Sequence, residues 1–261
     1  MTAYAAPITE HVLSLVDVSV AFEALRAVDG VTLSVPRGQR RAIIGPNGAG
    51  KTTLFNAITG MILPTSGTIT FDGRDMTRLP PHRRARLGIS RTFQITNLFP
   101  TLSVEDNMVL AMRGLNPRKF SLFGTPARSD DEERRMARAL AAARLTAHGG
   151  VAVRELSYGE QRQLEIALAL VASPSLVLLD EPAAGLSPAE RVIVADVIRA
   201  LPRDLTLILI EHDMDLALGL ADHVTCLHEG RVLVEDAPDA IRSNAKVQEV
   251  YLGKARHARA H

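Results

Sequence analysis

The chain has 261 residues, 46% hydrophobic and 23% charged, with a formal net charge of +1. That length suits one α/β domain carrying an insert, since single cores stop growing near about 250–300 residues, and the near-neutral balance removes any global electrostatic case for nucleic acid. A single cysteine, Cys226, excludes an intrachain disulfide and fits a reducing compartment.

In chain order, residues 1–12 lack the charged and apolar regions of a secretory signal. Residues 13–36 alternate apolar and polar, as in Leu13-Ser14-Leu15-Val16-Asp17-Val18, which predicts half-exposed antiparallel strands. Arg41–Ile44 reads as a short buried strand, Thr52–Met61 as a helix stopping at Gly60, and Gly67–Asp72 as another strand. The middle differs. Leu102–Arg113, Asp130–Leu145 and Glu160–Ala172 have helical spacing with little strand between them, and Asp130-Asp131-Glu132-Glu133 puts acids in a first turn. The intervening segment 114–129 reads as a loop, and the arginines of Pro81–Arg86 as a solvated helix face. Apolar runs at Leu176–Asp180, Leu205–Ile210 and His223–His228 then alternate with helices, which predicts a parallel sheet covered on both faces, with Cys226 buried in a strand. The expected organisation is an α/β core over 12–94 and 173–253, with an N-terminal antiparallel β-subdomain. A helical subdomain over 95–172 interrupts it, and a frayed tail covers 254–261. No run reaches the ~18–20 apolar residues of a membrane span, so membrane contact is expected through a partner.

Chemistry-bearing residues punctuate this order. Gly45-Pro46-Asn47-Gly48-Ala49-Gly50-Lys51-Thr52 fits G-x-x-x-x-G-K-[ST] between a predicted strand and helix, the context that confirms a phosphate loop. Its N–H groups would wrap phosphates at a helix N-terminus, Lys51 would add a point charge, and Thr52, beside Thr53, would offer a hydroxyl to Mg²⁺. Asp180 ends an apolar strand, where a carboxylate can hold Mg²⁺, and Glu181 is expected to point to the opposite side of the pleat. His212 lies just past the strand Leu205–Ile210, at the edge where open α/β sheets place ligands. Ser157 can cap the helix that follows it, and Gly159 lets its backbone approach a phosphate. Phe22 could stack a purine, although a core phenylalanine fits as well.

Leu156-Ser157-Tyr158-Gly159-Glu160, lying between a phosphate loop and an acidic strand end, resembles the signature of ATP-binding cassette (ABC) ATPases, and the resemblance runs from about Val12 to Gly253. It implies a P-loop NTPase fold with a parallel-sheet core, an antiparallel β-subdomain and an inserted α-helical subdomain. It also implies ATP and Mg²⁺ as ligands, with Gln94 sensing Mg²⁺ and water, Glu181 as general base, and His212 on the γ-phosphate. Phe22 would lie on adenine. Ser157, Tyr158, Gly159 and Glu160 would meet the ATP of a second cassette in a head-to-tail dimer. Tyr158 and Glu160 depart from the commonest Leu-Ser-Gly-Gly-Gln, and Ser187 stands where many relatives carry aspartate. Arg91-Thr92-Phe93-Gln94, Asp180–Leu186, Ile210–Met214 and Val250-Tyr251-Leu252-Gly253 make the chain similar to the longer ATPase of bacterial branched-chain amino acid importers. That implies integral-membrane permeases, a second ATPase or a second copy, a periplasmic binding protein met indirectly, and the cytoplasmic face of the inner membrane. The alternatives are the ATPase of lipopolysaccharide export and a soluble non-transport ABC ATPase.

Overall fold

The computed structural model describes residues 10–92, 98–114 and 129–257, and only the backbone of 252–257. Residues up to Leu87, with those from Arg203 onward, form one compact unit, and Gly88–Pro202 form another.

The first unit begins with β1 (His11–Phe22) and β2 (Leu25–Pro36), paired antiparallel as the alternation predicts. Strict alternation would nevertheless send Val18 and Val20 outward. Leu15 pairs with Leu33 and Val18 with Val31, so one extra residue sits in β1, and Asp17 takes a left-handed φ of 49°. This bulge resets the phase, and Leu13, Leu15, Val18 and Val20 are all buried. The chain continues through β3 (Arg40–Ile44) into α1 (Lys51–Thr59), which ends where Gly60, at φ 79°, returns its N–H to the Ala57 carbonyl. Next come β4 (Ser66–Phe71) and β5 (Arg74–Asp75), which complete a four-stranded sheet of order β2-β1-β4-β5.

The helix α2 (Pro81–Leu87) overturns one expectation. Its arginines do not all form a solvated face, because Arg84 is 1% exposed. Its guanidinium donates to Ala57 O at 2.5 Å and Ile58 O at 2.8 Å, in the last turn of α1. It also donates to Leu79 O at 2.8 Å and Thr77 O at 2.9 Å. The end of a helix leaves carbonyls without partners and favours a cation, so a buried arginine here is satisfied rather than stranded. Burial pulls its pKa down to about 10, which leaves it charged at neutral pH. Arg84→Ala is expected to remove about 3 kcal/mol of stability by stranding these acceptors, read as a fall in urea midpoint at unchanged slope. An unmoved midpoint would mean that water replaces the guanidinium.

The second unit opens with β6 (Ile89–Arg91), followed by α3 (Val104–Gly114), α4 (Asp130–Ala142) and α5 (Tyr158–Leu170). Val104, Met108 and Met112 recur at helical spacing and pack with Met136, Leu140, Leu164 and Ala167 in one core. The strand β7 (Leu176–Asp180) runs parallel to β6 and leads to α6 (Pro188–Ala200). Helices α4, α5 and α6 share one start signal: Ser129, Ser157 and Ser187 each cap a helix, with Glu132, Glu160 or Glu190 closing the capping box.

Back in the first unit, the chain forms β8 (Thr206–Ile210), α7 (Met214–Leu220), β9 (His223–His228) and β10 (Arg231–Asp236). It ends in α8 (Pro238–Ser243) and α9 (Ala245–His257), whose backbone continues beyond Gly253 into the segment expected to fray. β3 pairs in parallel with both β8 and β9, as predicted. β10 adds an antiparallel strand to β9 through a turn at Glu229-Gly230, whose φ values of 50° and 78° suit a tight hairpin. Cys226 is fully buried in β9, and burial pushes its thiol up to about 11.

Candidate nucleotide site

The strand β3 is buried along its whole length and releases the chain at Gly45. A Cβ on Gly45, at φ 146°, would lie 2.2 Å from Leu227 O, and one on Gly50, at φ 98°, would lie 2.2 Å from Ala27 O. Both loop ends therefore require glycine for close approach as well as for backbone angle. Between them Pro46 is half-buried, Asn47 and Gly48 are exposed, and Ala49 is buried. Lys51 is the first residue of α1, is 5% exposed, and donates through Nζ to Gly45 O at 2.7 Å and Pro46 O at 3.0 Å. The ammonium is thereby drawn back across its own loop. No side chain caps α1, which leaves its first-turn N–H groups and dipole to an anion. Thr52 is exposed at this end, and Thr53 is half-buried.

β8 lies beside β3 with Ile210 opposite Ile43, so both strands finish on the same edge. Glu211 follows, buried, and then His212, exposed, while Asp213 caps α7 by accepting the Leu216 N–H at 3.1 Å. The phosphate loop and His212 thus leave the carboxyl ends of neighbouring parallel strands, where open α/β sheets bind ligands. Phe22 closes β1 opposite Leu25 and is 46% exposed, so its ring is not a core element.

In the second unit, Asp180 ends β7 and is 2% exposed. Its Oδ2 accepts from Arg91 at 2.6 Å, and its N–H donates to Thr92 Oγ1 at 3.2 Å. Its Oδ1 is buried with no hydrogen-bond partner among the described residues. A buried, orphaned carboxylate oxygen is a hard donor of the kind Mg²⁺ takes, alongside phosphate oxygens and water. The pleat alternation expected to send Glu181 to the side opposite Asp180 does not extend to Glu181. β7 stops at Asp180, and Glu181 takes a left-handed φ of 49°, in a turn where its carbonyl accepts the Ala184 N–H at 3.0 Å. A non-glycine residue held there carries local strain of about 1–2 kcal/mol.

The signature opens α5. Glu160 turns back so that its carboxylate accepts the Ser157 N–H at 2.7 Å and lies 3.1 Å from His148 Nε2. The Ser157 backbone bond is the largest cause holding Glu160 below the usual carboxylate range. The Gly159 N–H donates to Glu190 Oε1 at 2.9 Å, while Oε2 accepts the Ser187 N–H at 3.0 Å. One carboxylate therefore joins the starts of α5 and α6. Tyr158 is 42% exposed and receives a hydrogen bond from Arg162 at 2.7 Å. A Cβ on Gly185 would come within 3.2 Å of the Tyr158 ring. Gln94 lies outside the described residues, as does 115–128 of the predicted loop.

Two residues that sequence reasoning did not assign take part. Arg91 holds Asp180, and its signal was its place in Arg91-Thr92-Phe93-Gln94. Glu190 holds Gly159, and its local signal, Ser187-Pro188-Ala189-Glu190, predicted only a cap.

The ABC transporter family profile matches residues 28–184, and that of the branched-chain amino acid ATP-binding cassette transporters matches residues 231–257. The high-affinity branched-chain amino acid transport ATP-binding protein BraF of Pseudomonas aeruginosa is 40% identical over 251 residues, which is 94% of this chain and 98% of that protein. LivG of Salmonella typhimurium, named for the same transport, is 39% identical over 254 residues, 95% of this chain and 100% of that protein. Among solved structures, the ADP conformation of MJ1267, an ATP-binding cassette of an ABC transporter, superposes with a TM-score of 0.82 at 29% identity. It covers 94% of this chain and 100% of its own. The cassette MJ0796, a dimer bound to ADP and Pi, matches with a TM-score of 0.70 at 26% identity over 87% of this chain and 98% of its own. A phosphate loop, an acidic strand end and a capped signature helix, in a chain aligned along nearly all its length with such proteins, make this chain a member of the ABC transporter family, one of its ATP-binding cassette ATPases.

Proposed function

We propose that this cassette hydrolyses Mg²⁺–ATP to energise import of branched-chain amino acids or related small polar solutes. The match of residues 231–257 to the branched-chain cassette family carries the reading, because it lies outside the segment that matches ABC transporters in general. It favours this cargo class over lipopolysaccharide export and over a soluble, non-transport role.

In this reading Lys51 and the N–H groups of Asn47–Thr53 hold the phosphates, Gly45 and Pro46 shape the start of the loop, and Phe22 stacks on adenine. Thr52, Asp180 and Gln94 hold Mg²⁺, which when bound neutralises charge on the transferring phosphoryl group. Glu181 takes a proton from the attacking water, and His212 contacts the γ-phosphate and orients that water. Ser157, Tyr158, Gly159 and Glu160 meet the nucleotide of a second cassette, either another copy or a related chain, in a head-to-tail dimer. For Gly159 to reach a phosphate, its N–H must exchange the Glu190 carboxylate for a phosphate oxygen. The partners are integral-membrane permeases at the cytoplasmic face of a bacterial inner membrane, a periplasmic binding protein indirectly, and no nucleic acid. Among the described residues no helix is long and apolar enough to cross a membrane.

Purification of tagged chain from native membranes in mild detergent, with mass spectrometry of its companions, tests the reading. Two multispanning permeases and a second cassette are expected. Export subunits, or soluble partners alone, would overturn the cargo and leave the ATPase standing.

A further inference from the structure

Helix α9 lies in the C-terminal stretch that matches the branched-chain family. Its Tyr251 accepts, at its hydroxyl oxygen, the backbone N–H of Gly45 at 2.7 Å. Gly45 is the first residue of the phosphate loop, and its carbonyl accepts Lys51 Nζ at 2.7 Å. A single residue therefore has its N–H held by the C-terminal helix while its C=O holds the lysine meant for phosphate.

The contact has little freedom to drift. Gly45 is buried, and the space where a Cβ would stand is filled by Leu227 O. The start of α9 is fixed by Asn244, whose Oδ1 accepts the Lys246 N–H at 3.0 Å and the Val247 N–H at 3.4 Å, and Val247 itself is buried. Burial pushes the Tyr251 hydroxyl up to about 12, so the phenol is neutral at physiological pH. A buried N–H without this acceptor would have to find another or distort the loop.

We propose that Tyr251 is a positioning residue for nucleotide binding: it pins the first residue of the phosphate loop, so that Lys51 and the loop N–H groups are set before phosphate arrives. The gain is preorganisation, which spares the nucleotide the cost of ordering the loop. Coupling is reciprocal, so bound nucleotide must in turn tighten the grip of Tyr251 on Gly45. This inference rests on the reading of Gly45–Thr52 as the phosphate loop.

Tyr251→Phe in the full chain removes the hydroxyl and keeps the ring. The expected result is a Kd and KM for ATP raised about two- to ten-fold, the span of one neutral hydrogen bond, with kcat at saturating ATP unchanged. A purely structural tyrosine would lower Tm and leave the ATP Kd where it was, and that outcome overturns the proposal. Should the variant not fold, amide exchange on the unaltered chain with a non-hydrolysable ATP analogue decides. Joint protection of residues 44–52 and 245–257 supports the latch. Protection of 44–52 alone refutes it while keeping the phosphate loop. No protection at 44–52 overturns the phosphate-loop reading, and the latch with it.

Discussion

Glu181→Gln is expected to bind ATP with nearly unchanged affinity and to hydrolyse it about 10²–10⁴-fold more slowly, the range attributed to a positioned general base. The choice between the two adjacent carboxylates is physical. Asp180 is buried, with one oxygen on Arg91 at 2.6 Å and the other enclosed, which suits holding a cation rather than receiving a proton from mobile water. Glu181 is half-buried and leaves the strand through a left-handed turn that frees it from the pleat. Glutamine keeps the size of the side chain and tolerates the same turn, so the fold and the phosphate contacts should survive while basicity is lost. Phosphate release at saturating ATP gives the rate, and gel filtration with ATP should show a longer-lived dimer. Wild-type turnover in this variant would remove Glu181 from the role of base.

What was legible in the sequence was what the chain writes locally. Leu176–Asp180 and Leu205–Ile210 are apolar runs of strand length, and they form β7 and β8 within a residue of their predicted limits. Gly45–Thr52 was legible because its glycines answer to backbone angle and close approach. The antiparallel pair over 13–36 was legible in type but not in phase, because Asp17 gave no sign that it would enter a bulge. Long-range satisfaction of polar groups was not legible. Arg84 looks like any other arginine on a short helix until the end of α1 is folded against it. Glu190 reads as a cap for its own helix, although its second oxygen serves Gly159. Tyr251 lies 206 residues from the Gly45 amide it holds, and no spacing rule reaches that far. Side chains whose partners lie across the fold have no period to betray them.

Lys51→Met is expected to raise the Kd for ATP about 10- to 100-fold, the worth of one or two charge-assisted contacts. Lys51 is the only cation within Gly45–Thr52, it is 5% exposed, and its ammonium donates to two loop carbonyls. A phosphate competing for it meets a partly desolvated charge, and such charges attract more strongly than exposed ones. Methionine preserves the aliphatic stem and the volume, so α1 should keep its packing. The Gly45 and Pro46 carbonyls, however, lose their donor and turn their negative ends toward the incoming phosphate, which adds repulsion to the lost attraction. Titration of ATP measures the affinity, and a urea midpoint close to wild type confirms that the loop remains folded. Wild-type affinity would place the phosphates elsewhere on the chain. The defect should also differ in kind from that of Glu181→Gln. Loss of a contact made by both bound ATP and the transition state raises KM, whereas loss of a base used only in the transition state lowers kcat. The two variants therefore separate the phosphate binding proposed for Lys51, in the first unit, from the proton transfer proposed for Glu181, in the second.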